Sequence, residues 1–290
     1  MNYLVVCKGF IGDVLFAASI AENLKREQKN AHIDYAIPLI QPILLLKQNP
    51  YIDDVILGMP PEMGMYDRVI YLPEINQAYP ATIQLQQYAG VKQPTLPFDV
   101  YTVPEFDRIA KQQVDQTRAY LPEGGKVIGV QVNWEWKAYQ TTPELLAQRK
   151  GGPHRDIATI VDKLRQDFVC IPMGFDRHVS QHDPIAQDAA LYARTASLIK
   201  QCDWMIGSEG GLTNLAAAVG TKCIITTDFI WQNYGPMGLV RPCQYPMMGP
   251  GVYYPDAGHV HIDPYVTDED LYTILYDTIK NSNEDHKDRN

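Results

Sequence analysis

No run of apolar residues in this chain approaches the roughly 20 needed to span a bilayer. Basic charge is scarce as well. Against 34 Asp and Glu there are 25 Lys and Arg, a formal charge of −9 and a pI near 5.2. That balance gives no overall pull toward nucleic acid or anionic lipid, although a local basic cleft is compatible with it. The five cysteines (Cys7, Cys170, Cys202, Cys223, Cys243) are scattered and lack C-x-x-C spacing. A disulfide or zinc framework is therefore not expected. Cys170 and Cys223 lie in apolar, strand-like runs, where cysteine acts as a small hydrophobe. Also missing are G-x-G-x-x-G, G-x-x-x-x-G-K-[ST] and G-x-S-x-G, so no dinucleotide fold, P-loop ATPase or nucleophile-elbow hydrolase is indicated by motif. The opening MNYLVVCKGFIGDVLF has neither a basic leader nor a small-residue cleavage site. The expectation is a soluble, cytoplasmic protein.

What is present is a globular composition, 46% hydrophobic and 20% charged. Across 290 residues, strand and helix patterns alternate, which implies an α/β architecture with mostly parallel sheets. Strands are predicted at Tyr3–Cys7, His32–Ile37, Asp54–Leu57 and Arg68–Tyr71. Helices are predicted at Asp13–Glu27, Gln41–Lys47, Ala81–Ala89 and Glu105–Tyr120. Leu121-Pro-Glu-Gly-Gly125 is the best boundary, because proline and a glycine pair interrupt the pattern. The strand Lys126–Val132 then opens a second half. It continues with a helix at Arg155–Leu164, a strand at Phe168–Pro172 and a helix at Leu191–Lys200. The expected organisation is an acceptor-side domain over 1–122 and a ligand-binding domain over 123–266. A closing helix over 267–280 is expected to pack back on the first domain, with a disordered tail over 281–290. Two α/β halves facing one cleft suit a ligand bound across the strand C-termini of both.

The most informative stretch runs from Asp203 to Gly220. Trp204–Ile206 reads as a buried strand, Gly210-Gly211 as a tight turn, and a helix opens at Leu212 or Thr213. A second strand, Cys223–Thr227, completes a βαβ unit. Adjacent glycines let the backbone approach a ligand closely. A helix N-terminus offers unpaired N–H groups and a positive dipole end, which suits a nucleotide's diphosphate. The same turn also serves simply to pack a helix tightly on a sheet.

Other residues are open to two readings. In the first βα turn, Lys8-Gly9-Phe10-Ile11-Gly12-Asp13, Asp13 is either a helix cap or a general base at the mouth of the cleft. Spacing alone favours the cap. Lys150, ahead of Gly151-Gly152-Pro153, either reaches a bound phosphate or is a solvated surface lysine. Trp134 and Trp136 are core residues or a stacking wall. Asp176, after the strand ending at Pro172, is placed to hold ribose hydroxyls. With His178, His182 and Asp183 it imitates a metal cluster without zinc-like spacing, so no metal is expected. His259 and His261 read as a solvated pair on a strand.

Taken in order, these motifs resemble the bacterial lipopolysaccharide heptosyltransferases, glycosyltransferase family nine. The segment GFIGDVLFAASIAENLKRE matches that family's I-G-D-x-L turn, and QNPYIDDVI its N-P-x-I-D-x-V. ARTASLIKQCDWMIGSEGGLTNLAAAVGTKCIIT is similar to its A-D-x-x-I-G-x-D-x-G-x-x-H-L-A-A-A-x-G region, and GPMGLVRP follows the last strand. The resemblance covers most of the chain. It implies a GT-B fold, in which two Rossmann-like domains face a central cleft. It also implies an inverting, metal-independent transfer from a nucleotide-sugar to a hydroxyl on a saccharide or glycolipid, with no cofactor.

By position, the resemblance makes Asp13 the catalytic base and Lys150 a phosphate-contacting lysine. It assigns Gly210, Gly211, Leu212 and Thr213 to the diphosphate loop and Asp176 to the ribose. Gly9, Phe10 and Gly12 fall on the acceptor side. The family's aspartate in D-x-G is Glu209 here, its histidine in H-L-A-A is Asn214, and its tryptophan before proline is Gly152. Residues 135–149 look like an insertion. The loss of the histidine implies altered contact with the donor's sugar or phosphates. Two other readings remain: a silent nucleotide-sugar-binding module, and a GT-B transferase acting on modified DNA bases. Stable nucleic-acid binding is not expected, whereas peripheral membrane contact is compatible with a lipid-linked acceptor. A metal-dependent GT-A enzyme is disfavoured, because the only D-x-D, Asp268-Glu-Asp270, opens the closing helix.

Overall fold

The computed structural model describes residues 1–7, 11–60, 62–73, 80–122, 125–131, 157–173, 189–208, 211–226, 254, 257–262 and 266–282. The first half holds β1 (Asn2–Val6), α1 (Ile11–Ala17), α2 (Ser19–Glu27), β2 (His32–Ile37), α3 (Ile43–Lys47) and β3 (Asp54–Leu57). A 3-10 turn (Met63–Met65), β4 (Arg68–Tyr71), α4 (Ala81–Tyr88) and α5 (Pro104–Arg118) complete it. The second half runs through β5 (Val127–Gln131), α6 (Ile157–Leu164), β6 (Val169–Met173), α7 (Ala189–Gln201) and β7 (Trp204–Ser208). It ends with α8 (Gly211–Ala218), β8 (Lys222–Thr226), β9 (Val260–Ile262) and α9 (Asp268–Asn281).

Two parallel sheets result, ordered β3-β2-β1-β4 and β6-β5-β7-β8-β9. Parallel strands are buried on both faces, which explains the continuous apolar runs YLVV and VIGV. One core cluster crosses between the halves. It joins Tyr3, Val5, Phe16, Tyr35 and Leu45 of the first to Met173, Tyr192, Met205, Leu215 and Ile225 of the second. Helices α1 and α3 on one side meet α8 and α7 on the other.

The helix expected over Asp13–Glu27 is two helices, broken at Ala18. The Ser19 hydroxyl donates to the Phe16 carbonyl at 2.8 Å, and the Ala18 and Ala21 amides bond three residues back. A hydroxyl that takes a backbone carbonyl competes with the helical ladder at that point.

The closing helix also departs from expectation. Leu271, Leu275 and Ile279 of α9 pack with Ile128, Trp204, Ile224 and Ile262, on the outer face of the second sheet. The Trp204 indole N–H donates to Ser282 Oγ at 3.0 Å, securing the helix end there. The apolar face of α9 thus covers the second sheet rather than packing back on the first half. That outer face of β5, β7 and β8 is apolar and has to be covered.

Helix α5 faces the second half too. Lys200 of α7 bridges Asp107 at 2.7 Å, and Arg118 pairs with Asp203 at 3.0 Å. Asp203 in turn accepts the Val127 amide at 2.7 Å, tying the start of β5 to the start of β7.

Candidate functional site

β7 lies between β5 and β8 in the second sheet, and the chain passes from Ser208 into α8 within two residues. The N-terminus of α8 therefore sits at the carboxyl edge of the sheet, where open α/β folds bind ligands. α8 can lie close to the sheet because its sequence, GLTNLAAA, is made of small residues with one leucine in its buried run. Thr213, Asn214, Leu215 and Ala216 are all buried. At its other end Gly220 adopts a left-handed φ of +88°. There the Thr221 amide reaches back to Ala216 and the Gly220 amide to Ala217, a Schellman closure that returns the chain into β8.

Of the glycine pair, only Gly211 lies among the described residues; the glycine that a side chain crowds is Gly207, within β7. A Cβ on Gly211 would meet no described atom within 4 Å. A Cβ on Gly207 would stand 2.5 Å from Gln131 Oε1 and 3.1 Å from Thr213 Cγ2. Gly207 thus makes room for the Gln131 side chain to lie across β7 beneath the first turn of α8. Gln131 ends β5 and is 8% exposed, and its Oε1 has no hydrogen-bond partner among the described residues. Asn214 is 5% exposed, and its Oδ1 is likewise without a partner there. Buried amide oxygens left unmet are uncommon in folded proteins, and each calls for an explanation.

Across the interface between the halves, α1 packs against α8. Asp13 is the third residue of α1, half-buried, so it lies within the first turn and not at the cap position before it. A carboxylate there still interacts favourably with the helix dipole. Burial pushes the Cys7 thiol far up, and the nearby Asp13 carboxylate pushes it in the same direction. That coupling places Asp13 near the carboxyl end of β1. A Cβ on Gly12 would meet no described atom within 4 Å. The structure therefore brings the helix of Asp13 against the helix of Thr213 and Asn214.

Gly9, Phe10, Lys150, Asp176, Glu209 and Gly210 lie outside the described residues, as do Trp134, Trp136, His178, His182 and Asp183. Among the described residues, no group of three His, Cys, Asp or Glu side chains could hold a metal ion. Cys7, Cys170, Cys202 and Cys223 are free and buried, and burial raises the Cys170 thiol to about 11. His259 is half-buried, and its Nδ1 accepts the Cys223 amide at 3.0 Å, next to the pairing of β8 with β9. No described helix is long and apolar enough to cross a membrane.

Sequence reasoning missed Gln131 and Gly207. The signal was present in VIGVQ, where one amide side chain ends a strand buried throughout.

No protein-family model matches the sequence, and no curated protein is a detectable relative. Solved structures do match. The chain is similar to a glycosyl transferase of family 9 from Veillonella parvula, with a TM-score of 0.61 and 16% identity, covering 95% of this chain and 88% of that one. It is also similar to the E. coli ADP-heptose lps heptosyltransferase II, with a TM-score of 0.57 and 15% identity, covering 96% and 98%. The E. coli heptosyltransferase WaaC with ADP matches with a TM-score of 0.53 and 12% identity over 96% and 100%. At these identities the likeness establishes the fold: an α/β chain with two parallel sheets, arranged as in heptosyltransferase structures.

Proposed function

We propose that this chain is a glycosyltransferase of the GT-B type that moves a sugar from a nucleotide-sugar to an acceptor hydroxyl on a saccharide or glycolipid. One observation carries the reading. The fold of two parallel sheets matches, over nearly the full length, solved structures of a family 9 glycosyl transferase and a heptosyltransferase, and in this chain the helix that carries Asp13, α1, packs on α8. One of those relatives is named for ADP-heptose and another was solved with ADP, which makes ADP-sugars the first donors to try.

The mechanism is a single displacement with inversion. The acceptor oxygen attacks the anomeric carbon, the bond from that carbon to the diphosphate oxygen breaks, and the nucleoside diphosphate leaves with the electron pair. Asp13 takes the acceptor's proton as the new bond forms. Backbone N–H groups over Gly210–Thr213 and the dipole of α8 stabilise the charge that develops on the leaving group, with Lys150 as a further cation. Metal is not required in this scheme, because the helix end and the lysine carry that charge.

The test offers ADP-, GDP-, UDP- and CDP-sugars with a saccharide or glycolipid acceptor and follows release of nucleoside diphosphate. The expected result is release from one donor class, unaffected by EDTA, with an inverted anomeric centre. Asp13→Asn is expected to lower turnover by about 100-fold or more and to leave nucleotide binding in place. A wild-type protein that binds donors but never turns over, with Asp13→Asn indistinguishable from it, would be a binding module instead.

A further inference from the structure

We infer that Gln131 is a donor-recognition residue whose carboxamide hydrogen-bonds a hydroxyl of the transferred sugar, beneath the N-terminus of α8. The inference rests on the transferase reading and adds to it the group that reads the sugar. Three observations support it.

The first is placement. Gln131 is the last residue of β5, and its side chain lies over Gly207 of β7, the neighbouring strand, toward Thr213 in the first turn of α8. The second is shape. The site of a missing Cβ on Gly207 is 2.5 Å from Gln131 Oε1 and 3.1 Å from both Gln131 Cβ and Thr213 Cγ2. Any other residue at 207 would force the amide out of this position.

The third is chemistry. Gln131 is more than nine-tenths buried in a strand whose other residues are valine, isoleucine and glycine, and its Oε1 has no partner among the described residues. A buried, unmet amide oxygen costs about 1–3 kcal/mol, whereas an apolar side chain of the same length at this position would cost nothing of the kind. Among the described residues, nothing in the packing calls for a glutamine here. Recognition does.

The ligand group that answers it is a hydroxyl. An amide oxygen needs a donor, and the opposite orientation of the same carboxamide would present N–H groups that need an acceptor. A hydroxyl serves either orientation. A phosphate oxygen serves only the second, and the backbone donors of α8 already suit phosphate. Asn214, in the same turn, is likewise buried with its Oδ1 unmet among the described residues. The face of the second sheet that carries Gln131 and Gly207 is the one on which α8 packs, and α8 meets the α1 of Asp13. Gln131 and Asp13 thus lie on elements that both adjoin α8, as a sugar read by one and attacked beside the other requires.

The experiment compares wild type, Gln131→Leu and Gln131→Met by calorimetric titration with matched pairs: ADP and ADP-heptose, and GDP, UDP and CDP with their glucose derivatives. Both variants keep the volume and remove the amide. The expected result is a loss of about tenfold or more in affinity for the nucleotide-sugar, unchanged affinity for the matching diphosphate, and a melting temperature no lower than wild type. Equal loss for both members of a pair would move the contact to the nucleotide and overturn the assignment. Unchanged affinity for both would overturn it as well. A lower melting temperature in both variants, with an unchanged ratio of the two affinities, would make Gln131 a structural residue. If wild type binds no diphosphate and no nucleotide-sugar, the transferase reading itself fails, and that outcome is distinct from the others.

Discussion

At the residue scale, glycines and amides decide what the edge of the second sheet can hold. Gly207→Ala puts a methyl group 2.5 Å from Gln131 Oε1, and Gly129→Ala puts one 2.9 Å from Met205 Sδ. Both overfill a packed surface, and each is expected to cost about 1–3 kcal/mol in denaturant unfolding. The two differ in what else they do. Gly207→Ala also displaces the Gln131 amide and should weaken nucleotide-sugar binding, while Gly129→Ala should leave it alone. Equal effects of both on binding would count against a role for Gln131. The glycine pair at 210–211 was conspicuous in the sequence, but Gly207 was not. Which side chain crosses a strand is a property of the neighbouring strand's register, and a local pattern does not carry it. Asp13 was visible as a candidate from the turn, yet the turn alone did not separate a base from a cap, and the base reading came from the resemblance.

At the scale of elements, β2, β3 and β4 follow the predicted bounds because short apolar runs between turn residues leave little choice. The helix at Asp13–Glu27 was legible as a helical stripe, whereas its break at Ala18 was not. The break depends on the Ser19 hydroxyl, which Gln86 also bonds at 2.9 Å from α4. The apolar stripe of α9 was legible too, but its partner sheet was not. Leu275→Ala, at a fully buried position, is expected to destabilise by about 2–5 kcal/mol. Thr267, whose hydroxyl accepts the Asp270 amide at the start of α9, is expected to cost about 1 kcal/mol when replaced by alanine.

The strut between α5 and α7 depends on pH. Burial alone would raise the Asp107 carboxyl, but hydrogen bonds from Lys200 and Thr102 and the Lys200 charge hold it below its ordinary 3.8. A carboxyl lowered on folding contributes stability above its unfolded pKa and loses it as pH falls through the folded value. Lys200→Met is therefore expected to cost about 0.5–1 kcal/mol at neutral pH, and much less in acid well below pH 3.8. Urea unfolding of the two proteins at both pH values checks this, and an equal difference at both would contradict it.

For the molecule as a whole, the sequence disclosed two α/β halves but not how they are joined. A single hydrophobic cluster runs from Tyr3 and Phe16 to Met205 and Ile225, and α1 rests on α8. A further link is Tyr254, whose hydroxyl donates to the Phe98 carbonyl and whose ring lies 5.9 Å from the Phe98 ring, itself edge-to-face with Phe16. Such contacts between distant segments leave no periodic trace in a chain. With one shared core, thermal unfolding is expected as one cooperative transition, seen at the same temperature in near- and far-ultraviolet circular dichroism. Two separated transitions would mean that the halves fold independently.

The edge where α8 meets α1 is the proposed nucleotide-sugar site. The most direct measurement is thermal unfolding of the wild-type protein with ADP, GDP, UDP and CDP and with their sugar derivatives, with and without EDTA. A ligand at 100 times its Kd stabilises the folded state by about 2.7 kcal/mol, enough to resolve. The expected result is a selective rise in Tm with one nucleotide class, greater for the sugar derivative at equal concentration and indifferent to EDTA. No rise with any of them would contradict the claim and return the turn before α8 to a packing role.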